Sequence, residues 1–148
     1  MSMLTNNYLM ILKKLDPHQK PLWGKMTPQH MVEHLILAVQ MGNGKLKLEC
    51  INPPEKIPTL KRFLMSSRPM PKLFVNPVVG KDLRPLKYSS LEAAVEKLKN
   101  EIDVYVLFFE NNPGAKPVNL TFGELNKEEW DVFHQKHFKH HLSQFSLL

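Results

Sequence analysis

The 148-residue chain has almost no cysteine. Its single thiol, Cys50, excludes an intramolecular disulfide and a cysteine-rich zinc cage, so a metal site would have to use histidine or carboxylate ligands. Long apolar runs are also missing, and none approaches the roughly 20 residues of a membrane span. The opening residues MSMLTNNYLM lack the basic region and small-residue cleavage pattern of a signal peptide. We therefore expect a soluble, cytoplasmic protein with no membrane partner.

The composition shows no sign of disorder. Charged residues make up 23% of the chain, close to the usual quarter, and the apolar content is ordinary for a globular protein. A chain of this length buries roughly 68–70% of its surface on folding, enough for a core without disulfide or metal staples. These features predict a single domain over residues 1–148.

Positive charge is concentrated in the middle of the chain. The net charge is +6, and between Lys56 and Lys87 the one acidic residue is Asp82. The basic residues there are Lys56, Lys61, Arg62, Arg68, Lys72, Lys81, Arg84 and Lys87. Such a segment would attract an anionic ligand or nucleic acid, although a solvated loop is the plainer interpretation. Because no helix-turn-helix, RNP-type aromatic pattern or glycine-rich phosphate loop accompanies the charge, we do not expect nucleic-acid binding.

Apolar residues repeat at helical spacing in four segments. The predicted helices span residues 3–15, 27–41, 89–109 and 126–145. Thr27-Pro28 is a typical helix start, and Ser89 with Glu92 forms the pattern of a capping box. Asn126, followed three residues later by glutamate, begins the last helix in the same way.

A long proline-rich connection separates the second and third of these helices. Between Lys45 and Lys87 the prolines stand at positions 53, 54, 58, 69, 71, 77 and 85, which forbids a long helix or a central strand. We expect a short helix near 59–65 and a short extended piece at 45–50. Four amphipathic helices with long crossover connections predict an all-α fold, specifically a four-helix bundle, in which inward side chains on facing helices can build a metal site.

Histidine is the most informative residue type in the sequence. Four of the seven histidines lie between positions 134 and 141. His137 and His141 are four residues apart on the apolar face of the last helix, so both imidazoles can point at one place. His34 lies on the inward stripe of the second helix. Three inward imidazoles with no acid nearby suit a divalent metal such as zinc, nickel, copper or iron.

Simpler interpretations of the histidines remain open. A pair of histidines four residues apart often has no ligand role on a surface helix. We expect His18 and His140 to be solvated. His30 and His134, each within four residues of an expected ligand, fit a supporting partner of the ligands, a ligand or a rim residue equally well.

Two segments resemble the DinB-like superfamily. They are PLWGKMTPQHMVEHL at residues 21–35 and WDVFHQKHFKHHLSQF at residues 130–145. The closest likeness is to a small branch with a W-G-K-M opening and an H-x-x-x-H-L-x-Q-F ending. The resemblance implies a four-helix bundle in which His34, His137 and His141 are the three ligands of one divalent metal, most often zinc or nickel.

The resemblance also implies an activity. Enzymes of that superfamily include S-transferases that use bacillithiol or mycothiol and a mycothiol-dependent maleylpyruvate isomerase, in which the metal activates the cofactor thiol as a thiolate. We therefore expect a metal-dependent S-transferase or hydrolase-like enzyme that activates a low-molecular-weight thiol or water. The candidates for its acid or base are His134, Glu33 and His30. The basic connection would then recognise an anionic cofactor or substrate.

A non-enzymatic role is the alternative, in which the metal stabilises an interaction or accessory module. Relatives in the superfamily often form dimers, so the resemblance also implies a homodimer. Phe63, Phe74 and Phe138 are the candidates for an exposed patch that would support it, with core packing as the alternative for the first two.

Overall fold

The computed structural model describes residues 2–71 and 83–148, and this part of the chain is mostly helical, as predicted. The helices it contains are α1 (Ser2–Leu12), α2 (Pro28–Gly42), α3 (Ile57–Met65), α4 (Leu91–Asn111) and α5 (Lys127–Gln144). Two very short strands, β1 (Val118–Asn119) and β2 (Gly123–Glu124), pair in antiparallel fashion between α4 and α5. Within the described ranges, no helix is both long enough and apolar enough to cross a membrane.

The predicted helix starts are largely confirmed. The Thr27 side chain accepts a hydrogen bond from the His30 amide at the start of α2. Asn126 and Glu129 form a reciprocal capping box at the start of α5. The prediction for α4 was wrong by one residue, because Ser90 rather than Ser89 is the N-cap and accepts from the Ala93 amide. Adjacent serines offer the same hydroxyl, so only the backbone conformation selects between them.

The first helix is shorter than predicted. It ends at Leu12, and the amides of Lys14 and Leu15 bond instead to carbonyls three residues earlier. This tighter turn is common at helix ends. Pro17 disfavours a helical conformation at Asp16, so the helix could not have continued beyond Leu15. Leu15 nevertheless stays in the core at 6% exposure.

Helix α2 lies at the centre of the packing. Met31, Val32, Leu35 and Val39 are completely buried, and they cover more of the helix than the single stripe that the sequence indicated. α2 packs most extensively against α4 and also contacts α5, while α1 contacts α4 and α5. The α2–α5 contact places His34 opposite the histidines of the last helix.

The described part of the crossover is irregular except at α3. A short 3-10 turn, Pro54–Lys56, leads into α3, which begins two residues before the predicted start. The segment 47–50 joins neither strand, and Ile51 donates instead to the Leu120 carbonyl. The strands themselves were not predicted. Of the residues singled out above, Lys72, Phe74, Pro77, Lys81 and Asp82 lie outside the described residues.

A buried carboxylate joins α4 to the end of α2. Glu101 is completely buried and accepts hydrogen bonds from Lys45 Nζ at 2.6 Å and from Asn43 Nδ2 at 2.9 Å, with Lys97 Nζ at 3.2 Å. Burial by itself would raise the pKa of Glu101, but these hydrogen bonds and charges lower it below its usual value. The carboxylate is therefore ionised and fully partnered, as buried charges must be.

Candidate metal centre

His34, His137 and His141 meet at one point, as predicted. His137 Nε2 lies 2.9 Å from His34 Nε2 and 3.2 Å from His141 Nε2. The three ring centroids are 4.8–4.9 Å apart, and each pair of ring planes is inclined by 72–74°. The imidazoles are therefore arranged almost symmetrically around a common axis, with their ring nitrogens close enough to hold a metal ion.

The spacing of the nitrogens suits metal coordination. Zinc binds imidazole nitrogen at about 2.0–2.1 Å, and tetrahedral geometry then places two ligand nitrogens about 3.3 Å apart. The two Nε2–Nε2 distances at His137, 2.9 and 3.2 Å, fall below that value. A shift of a few tenths of an ångström in the side chains would be enough to accommodate the ion.

Local helix geometry positions two of these histidines. His137 and His141 are one turn apart on α5, and Phe138, Leu142 and Trp130 hold that helix against the core with 1% exposure or less. His141 itself is only 6% exposed, whereas His34 and His137 are partly buried. One side of the cluster is thus packed and the other is less enclosed.

All three imidazoles are held in the neutral state. Burial, followed by the positive charge of Arg84, lowers the pKa of His34 to about 4. Burial and the neighbouring imidazoles likewise hold the pKa values of His137 and His141 well below the usual value of 6.5. Neutral imidazole is the form that binds a metal, so no proton has to be displaced at pH 7.

One buried nitrogen of the cluster has no hydrogen-bond partner. Among the described residues, nothing accepts from or donates to His137 Nδ1. An unpaired buried polar group costs free energy. Without a metal, moreover, only the protons on the ring nitrogens can hold the three converging Nε2 atoms together. The three converging ring nitrogens therefore fit a metal ion, although such an ion would not itself provide a partner for His137 Nδ1.

His141 is held from behind by a glutamine. Its Nδ1 lies 2.8 Å from Gln144 Oε1, and Gln144 Nε2 donates to the Trp23 carbonyl at 2.9 Å. His140, expected to be solvated, is instead partly buried, with its ring 5.5 Å from that of Trp23. His18, in contrast, is exposed as expected. The sequence did not reveal the contact between Trp23 and Gln144, although both residues stand in the quoted motifs.

The three catalytic candidates occupy different surroundings. The His30 ring bonds to Thr27 Oγ1 through Nδ1 at 2.6 Å. The Glu33 carboxylate accepts from the backbone amides of Lys87 at 2.8 Å and Tyr88 at 3.2 Å, and so fastens the end of the crossover to α2. Both side chains therefore have structural partners, and their roles as acid or base stay predictions.

His134 is buried outside the cluster. It is 1% exposed, neither ring nitrogen has a hydrogen-bond partner among the described residues, and the three-histidine group does not include it. Its ring packs against those of Tyr105 and Trp130 at 4.9 and 5.2 Å. Burial lowers its pKa to about 3 despite the opposing charge of Asp131. A rim position is excluded for His134.

The aromatic residues considered for a dimer patch do not form one in the described structure. Phe138 is 1% exposed and belongs to the core, so its assignment to an exposed patch was wrong. Phe63 is partly buried and packs against the core. Both side chains therefore contribute to packing within the fold.

Comparison with known proteins gives one match. The model of a family described as "Protein of unknown function (DUF1569)" matches residues 109–147, about a quarter of the chain. The matched stretch contains His137, His141 and Gln144 but not His34. No curated protein and no solved structure matches the chain.

Proposed function

We propose that this chain is a metal-dependent enzyme of the DinB-like type. In this proposal α1, α2, α4 and α5 form its four-helix bundle, and α3 belongs to the crossover. One divalent ion, zinc or nickel, is bound by His34, His137 and His141. The observation that carries the proposal is the convergence of three neutral imidazoles on one point.

The donor set suits a catalytic role for the ion. Three protein nitrogens leave at least one coordination position for a thiol or water, which is the usual difference between a catalytic and a closed structural zinc site. When bound, such an ion lowers the pKa of a coordinated thiol or water and so provides a nucleophile at neutral pH. This chemistry agrees with a thiol S-transferase or hydrolase-like reaction.

The charge beside the centre supports an anionic ligand. Arg84 is exposed, yet its charge is near enough to lower the pKa of His34. A cation at the edge of a metal site attracts a carboxylate or phosphate. We therefore propose a low-molecular-weight thiol that carries an acidic group as the cofactor, with Arg84 contributing to its binding.

Elemental analysis tests the metal site. Protein prepared without an affinity tag is compared with His34→Ala and His137→Ala, and with His18→Ala as an exposed control. We expect about one zinc or nickel per chain in the wild type and the control and none in the two ligand variants. Chelation should lower the melting temperature of the wild type and the control alone. A metal-free wild type that cannot be loaded with either ion would refute the site.

Thiol binding tests the reaction class. Calorimetric titration of metal-loaded protein with bacillithiol or mycothiol should show saturable binding, whereas the S-methylated thiol should bind much more weakly because it cannot become a thiolate. Arg84→Ala should weaken binding of the free thiol while leaving the metal content unchanged. Equal binding of the free and methylated thiols would contradict thiolate coordination.

A metal-stabilised accessory module is the second candidate. The observation that favours it is that the Glu33 carboxylate and His30 Nδ1 already have structural hydrogen bonds. This alternative predicts a metal-dependent melting temperature without binding of any thiol. The two experiments above therefore separate this candidate from the thiol S-transferase.

A further inference from the structure

A polar chain of contacts runs from the backbone at Trp23 to the metal centre. Gln144 is 4% exposed, and its side-chain amide has one donating nitrogen and one accepting oxygen. Because the Trp23 carbonyl can only accept, the donating Nε2 must face it, and the two atoms are 2.9 Å apart. The oxygen of the same amide then faces His141 Nδ1 at 2.8 Å. The orientation of the amide is thus determined by the backbone.

This orientation selects one form of the His141 ring. An oxygen acceptor requires a proton on Nδ1, and a neutral imidazole carries a proton on only one nitrogen. The lone pair therefore belongs to Nε2, the atom that lies 3.2 Å from His137 Nε2. His137 Nδ1 has no partner in the described part of the chain, so no comparable hydrogen bond selects the tautomer of His137.

The segment around Trp23 is shaped to receive the glutamine. The Leu22 amide donates to the backbone carbonyl of Gln144 at 2.7 Å, so backbone and side chain of Gln144 both hold this segment. Gly24 has a φ of 80°, in the left-handed region, and a Cβ there would stand 3.0 Å from Gln144 Nε2. Glycine satisfies both requirements. The Trp-Gly pair of the first motif and the glutamine of the second therefore form one structural unit.

We propose that Gln144 is a positioning residue of the metal centre. It holds His141 as the Nδ1–H tautomer, so that the Nε2 lone pair is directed at the ion before the ion arrives. This inference rests on the proposed function and deepens it. Groups that orient ligating histidines in this way typically change metal affinity by 10–100-fold when they are removed.

Two substitutions separate positioning from packing. Gln144→Met nearly keeps the side-chain length but removes the acceptor, whereas Gln144→Glu keeps an oxygen towards His141 and loses the donor to the Trp23 carbonyl. Long-range ¹H–¹⁵N spectra of histidine-labelled, metal-free protein report the tautomer of His141. Competition with a chromophoric chelator reports zinc affinity, and thermal unfolding confirms that each variant is folded.

We expect the Nδ1–H tautomer in the wild type and in folded Gln144→Glu, both of which should bind zinc more tightly than Gln144→Met. Gln144→Met should lose the tautomer preference and bind zinc about 10–100-fold more weakly. An Nε2–H tautomer in the wild type, or a folded Gln144→Met with unchanged affinity, would overturn the inference. A wild type that binds neither zinc nor nickel refutes the proposed function instead, while its metal-free spectrum still confirms or refutes the Gln144 contact.

Discussion

Replacing His134 with phenylalanine should stabilise the metal-free protein. His134 is 1% exposed and neither of its nitrogens has a partner among the described residues, while its ring lies among Tyr105, Trp130, Phe133 and Phe138. An unsatisfied buried polar group costs about 1–3 kcal/mol. Phenylalanine keeps the aromatic contacts and removes that cost.

Crowding at Gly42 reduces the expected gain. A Cβ on Gly42 would stand 3.1 Å from His134 Nε2, so the larger ring has little free space on that side. Overpacking of this kind offsets part of the benefit. We therefore expect a net gain of about 0.5–2 kcal/mol. In a chain of this size that corresponds to a rise of about 1–8 °C in melting temperature.

Urea unfolding of chelator-treated protein at pH 7.5 measures this difference, with His18→Gln as an exposed control that should change stability by less than about 0.5 kcal/mol. The folded pKa of His134, about 3, lies below that of the unfolded chain, so acid favours the unfolded wild type. The advantage of His134→Phe should therefore grow as the pH falls from 6.5 towards 3. A variant destabilised by more than about 1 kcal/mol would refute this reasoning and indicate partnered nitrogens, for example through a buried water.

Three further predictions concern other buried polar groups. The free energy of unfolding of the metal-free protein should fall as the pH falls from about 6.5 to 4, because His34 takes up a proton near pH 6.5 in the unfolded chain but only near pH 4 in the folded protein. In denaturation experiments over this pH range, His34→Ala should show a smaller loss of stability than the wild type. Glu33→Ala should destabilise the protein by about 1–3 kcal/mol in chemical denaturation, since two backbone amides lose a charged acceptor, whereas the isosteric Glu33→Gln should cost less. Glu101→Ala should cost about 3–5 kcal/mol by the same assay, because it leaves the partners of a buried carboxylate unpaired; a cost below 1 kcal/mol would contradict the assigned contacts.

Local patterns in the sequence predicted the parts of the fold that depend on near neighbours. The capping box at Asn126 and the facing of His137 and His141 both follow from spacings of three and four residues. The position of His34 opposite them followed from the apolar stripe of α2, because a stripe determines which side of a helix meets the core.

The contacts that complete the site depend on pairs far apart in sequence, and no periodicity encodes them. Gln144 and Trp23 are separated by 121 residues, and Glu33 reaches amides 54 and 55 residues away. The burial of His134 could not be predicted from the sequence either, because a residue three positions from His137 can lie in the core or at its edge. Two-residue strands are too short to produce an alternation pattern.

The long separation between the ligands has a consequence for biosynthesis. His34 and His137 are 103 residues apart, and the glutamine that holds His141 comes later still. At a synthesis rate of about 5–20 residues per second, a nascent chain spends several seconds with one ligand made and the others absent. The proposed centre could not load metal during that interval, and any product that stops before residue 137 would carry only His34. Metal content would thus distinguish completed copies of the chain from unfinished ones.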